Sequence, residues 1–178
     1  MAGIAVFVFS GVYDVSAMAP HWTVTLKILD GARDQSVSHH SKGVVAPSLS
    51  DPRMHEIGFD HFQETCRLCH GAPGMARNEF AQGLYPGPPD LASADWHREM
   101  NNAQIFWIIK NGLKMTGMPS FGNTHSDREI WSMVAFIDRL PTLQPDQYKA
   151  MIKHTDQGDG HHHESEKEAG HGKGTHHY

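Results

Sequence analysis

Apolar side chains recur at helical spacing in three stretches of the middle of this 178-residue chain, and no segment shows a competing strand pattern. In the first, Ile57, Phe59, Phe62 and Cys66 share a face, so the helix ends by presenting Cys66 and Cys69. The second is predicted over residues 102–111, with Ile105, Phe106, Ile108 and Ile109 apolar, Asn101 or Asn102 as cap and Gly112 as terminator. The third has the clearest ends. Ser126 and Glu129 make a Ser-x-x-Glu capping pattern, Ile130, Trp131, Val134, Ile137 and Leu140 form the face, and Pro141 stops it. Between the first two, Gly83 to Pro89 (GLYPGPP) cannot continue a helix and is expected to be an ordered loop wrapped around something.

The pattern divides the chain into an N-terminal apolar segment (1–19), a connector (20–50), a compact helical domain (51–148) and a tail (149–178). Residues 1–13 (MAGIAVFVFSGVY) carry no charge, but the run is shorter than the roughly 20 residues that span a bilayer. Ala17-Met18-Ala19 has the small residues of a signal-peptide cleavage site, although no Lys or Arg precedes the run and Pro20 stands where cleavage would fall. Three readings stay open: a membrane anchor, a cleaved signal, or a buried element; the first two both mean export. The connector places Trp22, Leu26, Leu29 and Val37 at loose helical spacing and is read as a short amphipathic helix packed on the protein. Beyond Tyr148 the composition turns to His, Gly, Glu and Lys with little to bury, so residues 149–178 are expected to be disordered. Its histidines, among them His161 to His163, are read as a solvated tract rather than a metal site of fixed geometry.

A net charge of -5 with no basic stripe argues against nucleic acid as a partner, and there is no glycine-rich phosphate loop. Two cysteines are too few for a disulfide framework, and the histidines lie at no zinc-like spacing from them.

Those two cysteines stand in Cys66-Arg67-Leu68-Cys69-His70, a C-x-x-C-H sequence of the kind that attaches c-type haem. Three-residue spacing projects both thiols from one face of a helix end toward two vinyl groups, and His70 reaches iron from the same side. The competing reading, a redox-active C-x-x-C of thioredoxin type, expects a preceding strand and a following helix, whereas Gly71-Ala72-Pro73-Gly74 follows here. A low-spin carrier needs a sixth ligand, and a methionine thioether raises the potential. Met118, in the loop Gly117-Met118-Pro119-Ser120-Phe121, is the first candidate; Met115, Met75 and Met100 are rivals, and Met133 fits a helix core.

The segments CRLCHGAPG, GLYPGPPDL, IKNGLKMTGMPSFG and EIWSMVAFIDRLP, taken in this order, resemble the bacterial class I cytochrome c family, over residues 52–148. The resemblance implies an all-α fold of three to five helices around one covalent haem c, its first and last helices crossing near Gly58, Phe62, Trp131 and Ala135. It implies Cys66 and Cys69 as thioether sites, His70 and Met118 as axial ligands, and Pro73 as the residue whose carbonyl orients the proximal imidazole. Tyr85, Trp96 and Trp107 are candidates for haem contact, although core packing is the commoner role of such rings, and Lys110 with Lys114 forms a candidate docking patch for an acidic redox partner.

A carrier with both axial positions filled passes one electron at a time and does no chemistry on a substrate. The expected donor is a quinol-oxidising complex or dehydrogenase and the expected acceptor an oxidase or reductase, on the periplasmic side. Two alternatives are a membrane-tethered subunit of a larger oxidoreductase and a haem or metal sensor, or metal chaperone, using the histidine tail. A dihaem peroxidase would carry two attachment motifs, and only one is present.

Overall fold

A computed structural model describes residues 2–158, which form an all-helical protein; among them no strand forms, only an isolated bridge between Ala72 and Met75. The helices are α1 (Ala2–Phe9), α2 (Thr23–His40), α3 (Pro52–His61), α4 (Arg67–His70), α5 (Glu79–Gln82), α6 (Ala94–Glu99), α7 (Asn102–Asn111), α8 (Asp127–Arg139) and α9 (Pro145–Gly158).

The first predicted helix is longer than its apolar face suggested. It starts at Asp51, whose carboxylate accepts from the Arg53 amide, with Pro52 in the first turn where a missing N–H costs nothing. It then passes without a break through a π-helical turn, Phe62–Cys66, into α4. Thr65 accounts for the widened turn: its hydroxyl donates to the His61 carbonyl at 2.6 Å and competes with the helical ladder there. Helices α7 and α8 begin at full capping boxes, Asn101 with Gln104 and Ser126 with Glu129.

Helix α8 is the centre of the core, with every residue from Ile130 to Ile137 buried. Helix α3 crosses it at Gly58, so closely that a Cβ built there would lie 2.0 Å from the Ser132 carbonyl oxygen. Phe59 and Phe62 pack on Phe136 with centroids 5.4 and 5.3 Å apart, and on the other face Trp131 stacks on Phe106 of α7 at 4.2 Å. The expected crossing of first and last family helices therefore forms as a backbone contact.

The connector is a helix docked on the domain: Val37 of α2 is buried, and His40 stacks on Trp107 of α7 at 5.7 Å and 13°. This contact gives Trp107 a packing role outside the core.

The expectation of a tail disordered from residue 149 is corrected for its first ten residues. Tyr148 is fully buried against Phe59 and Phe62, and its hydroxyl donates to Gln63 Oε1 at 2.7 Å. Met151 and Ile152, three and four residues on, extend the same face, so α9 continues to Gly158. The rest of that expectation, with the histidine tract, lies outside the described residues.

Gly58→Ala is expected to destabilise the protein by about 3 kcal/mol, because the clash is with backbone and cannot be relieved by a rotamer change; urea unfolding measures it. A second prediction concerns His55, in α3. Burial lowers its pKa, with Arg139 adding to the effect against an opposing bond to the Ala135 carbonyl. A depressed histidine pKa means that the unfolded chain takes up the proton first, so its contribution is present above about pH 6.5 and lost as pH falls toward the folded value. Unfolding midpoints between pH 7 and 5 should decline more steeply in the wild type than in His55→Gln.

Candidate haem-binding site

The helix formed by α3, the π turn and α4 delivers Cys66, Cys69 and His70 to one end of the core and stops there. The stop is set by Gly71 at φ +72°, where a Cβ would meet the Met75 carbonyl oxygen at 2.9 Å. The chain turns back through the Ala72–Met75 bridge, and the Asn78 amide donates to the Leu68 carbonyl at 3.2 Å, tying the turn to α4.

His70 is half-buried, with Nδ1 2.8 Å from the Pro89 carbonyl oxygen. A carbonyl only accepts, so Nδ1 carries the hydrogen and Nε2 is left with its lone pair. Burial lowers the pKa of the ring, partly offset by the Pro89 bond, so the imidazole is neutral at pH 7, as a metal ligand requires. The resemblance assigned this second-sphere role to Pro73. Pro73 is buried in the turn after His70, and the carbonyl that meets the ring is that of Pro89, at the end of the Gly83–Pro89 loop.

Both thiols are free and half-buried. Burial pushes the Cys66 thiol up to about 11, with Cys69 adding to the rise and the Thr65 hydroxyl opposing it. A thiol–disulfide exchange centre needs the opposite shift, since the thiolate is its nucleophile. The thioredoxin-type context is also missing, because the motif sits at the end of a long helix with no strand before it among the described residues.

Met118 follows α7 in a loop that is hydrogen-bonded within itself and fastened to the end of that helix. The Leu113 amide donates to the Met118 carbonyl at 3.2 Å, the Met118 amide to Thr116 Oγ1 at 3.1 Å, and Ser120 Oγ to the Lys110 carbonyl at 2.8 Å. Gly112, at φ +67°, makes this approach possible: a Cβ there would lie 2.8–2.9 Å from backbone atoms of Met118, Pro119 and Ser120. The Met118 side chain is half-buried against the core, whereas Met115 stands 89% exposed and Met133 is enclosed within α8. Met75 and Met100 also pack partly against the core.

Other candidates divide. Trp96 packs on the core, and Tyr85 accepts a hydrogen bond from the His21 amide. Lys110 binds Asp127 at 2.6 Å, so half of the suggested docking patch is already paired within the protein. Pro89, Thr65 and Gly112 are site residues that sequence reasoning does not assign; Pro89 lies in the loop read as wrapping something and Gly112 is read as a helix terminator, while Thr65 carries no signal.

The donor set of two unbridged thiols, a neutral imidazole with Nε2 open and a core-facing thioether suits a covalent haem. Residues 53–137 match the family described as cytochrome c oxidase, cbb3-type, subunit III. That match supports a class I monohaem c-type cytochrome domain over this stretch. Such a domain carries covalent haem c and transfers single electrons. The chain is also 26% identical over 117 residues to the Cbb3-type cytochrome c oxidase subunit FixPc of Rhizobium leguminosarum bv. viciae, an alignment covering 64% of this chain and 37% of that protein. The chain thus spans little more than a third of its relative. No solved structure gives a significant match.

Gly112→Ala is expected to cost about 2–3 kcal/mol and to weaken amide protection over residues 113–120 more than in α8, as read by hydrogen exchange.

Proposed function

We propose that Cys66 and Cys69 bind one haem through thioethers, that His70 Nε2 and the Met118 sulfur are its axial ligands, and that the protein is a one-electron carrier in a respiratory chain. The observation that carries this reading is the His70–Pro89 hydrogen bond, which fixes the tautomer that leaves Nε2 free. When bound, the haem supplies an Fe(II)/Fe(III) couple. The protein's own part is to hold a neutral imidazole in place, to fasten the Met118 loop to α7, and to surround both with a close-packed core that limits rearrangement between redox states. Two protein axial ligands leave no position for oxygen or a substrate, so exchange is with protein partners. We take the donor to be a quinol-oxidising complex or dehydrogenase and the acceptor an oxidase or reductase.

The alternative, a haem c subunit held in an oxidase complex on the periplasmic side of a membrane, is favoured by the match to the cbb3-type subunit family and by α1. No helix among the described residues is long and apolar enough to cross a membrane. Helix α1 is apolar on all sides, however, with Ile4, Val6, Val8 and Phe9 more than 60% exposed, a surface that burial in lipid would cover.

Protein matured in a host that attaches haem c should give a pyridine haemochrome spectrum and a mass above the 19.8 kDa polypeptide by one haem. Met118→Ala should lower the potential and open the iron to carbon monoxide; an unchanged spectrum would move the sixth ligand to Met75 or Met100. Val6→Asp should release the protein from the membrane fraction if α1 holds it there.

A further inference from the structure

The N-terminal segment gathers a set of rings beside the Gly83–Pro89 loop. Phe7, Tyr13 and Trp22 meet edge-on or tilted, with centroids 5.1 to 6.2 Å apart. Tyr13 also stacks on His21 at 6.0 Å, and His21 meets Tyr85 edge-on at 5.1 Å. Two hydrogen bonds run along the same line: Tyr13 Oη with His21 Nδ1 at 2.7 Å, and the His21 backbone N–H donating to Tyr85 Oη at 3.0 Å.

Tyr85 lies four residues before Pro89, whose carbonyl holds His70. The stretch between them cannot hold itself by its own backbone, since Pro86, Pro88 and Pro89 have no amide hydrogen. Among the described residues, the hydrogen bonds of residues 85–89 are the two already named, one from His21 at Tyr85 and one from His70 at Pro89. Just beyond Pro89 the chain is held again, by the Ser93 amide donating to the Asp90 carbonyl and by the burial of Leu91 in the core, so the proline segment is suspended between that fixed end and Tyr85, and the hold on Tyr85 sets the other end.

The geometry points to residues 13–22 as a strap that positions the Pro89 carbonyl against His70 by holding Tyr85. Tyr85, His21 and Tyr13 are positioning residues, and the inference rests on the reading of His70 as the proximal ligand. Phe7 belongs to α1, so the strap also joins the apolar N-terminal helix mechanically to the proximal loop. Loosening the strap weakens the Nδ1–H bond to Pro89, which makes the imidazole a poorer donor and favours the reduced iron.

The test compares the full haem-loaded chain with Tyr85→Phe, which keeps the ring and loses the hydroxyl, and with His21→Ala, which removes the linking ring. In both variants the His70 Nδ1 hydrogen should exchange with solvent about fivefold faster. The Gly87 amide order parameter should fall from about 0.85 toward about 0.6. The reduction potential should rise while the urea midpoint stays within error, a combination that a purely structural role would not produce. An unmoved Gly87 order parameter in both variants, or an unmoved potential in loaded protein, overturns the strap. A chain that binds no haem yet shows Gly87 loosened in both variants would sink the haem reading and leave the strap standing.

Discussion

Helix α3 touches the backbone of α8 at Gly58, and the placement of everything downstream follows from that contact. Without a side chain at this position the helices approach to van der Waals contact at the Ser132 carbonyl. Phe59 and Phe62 on one flank and Phe136 on the other then close the crossing. The helix that carries Cys66, Cys69 and His70 is a continuation of α3, so its end is aimed by a rigid joint rather than by a loop. Tyr148 of α9 seals the same joint from outside, which is why the compact domain reaches past residue 148.

At the end of that helix the chemistry depends on keeping charge out. The His70 ring is held neutral by burial and Cys66 is held as a thiol, so the site presents uncharged or soft donors in a setting that water does not dominate. A reactive dithiol would need a stabilised thiolate, and the same burial that suits a cofactor works against that chemistry. The directional contact on the His70 ring is the hydrogen bond to Pro89, and it decides which nitrogen is available.

The N-terminal third adds a layer that the compact domain does not need for its core. Helix α2 is held to α7 through Val37 and the His40–Trp107 stack, while its other end leads back to Trp22 and the aromatic cluster on Tyr85. Two separate points of attachment tie this region to the compact domain. The apolar surface of α1 thereby stands in a defined relation to the Gly83–Pro89 loop.

Much of the framework was legible in the chain itself. The capping boxes at Asn101 and Ser126, the stops at Gly112 and Pro141 and the spacing within Cys66–His70 are signals that act over three or four residues, so sequence alone determined those elements and the chemistry they offer. The apolar faces determined an all-helical fold for the same reason. Other features joined residues far apart in the chain. The His70 acceptor lies 19 residues away at Pro89 rather than at the nearby Pro73, and the bond from His21 to Tyr85 spans 64 residues. The Lys110–Asp127 pair, the burial of Tyr148 that carries α9 onward and the docking of α2 are of the same kind. Only the tertiary structure decided these, because a hydrogen bond or a stacked ring between distant residues depends on where packed helices bring the backbone, and local propensity carries no record of that.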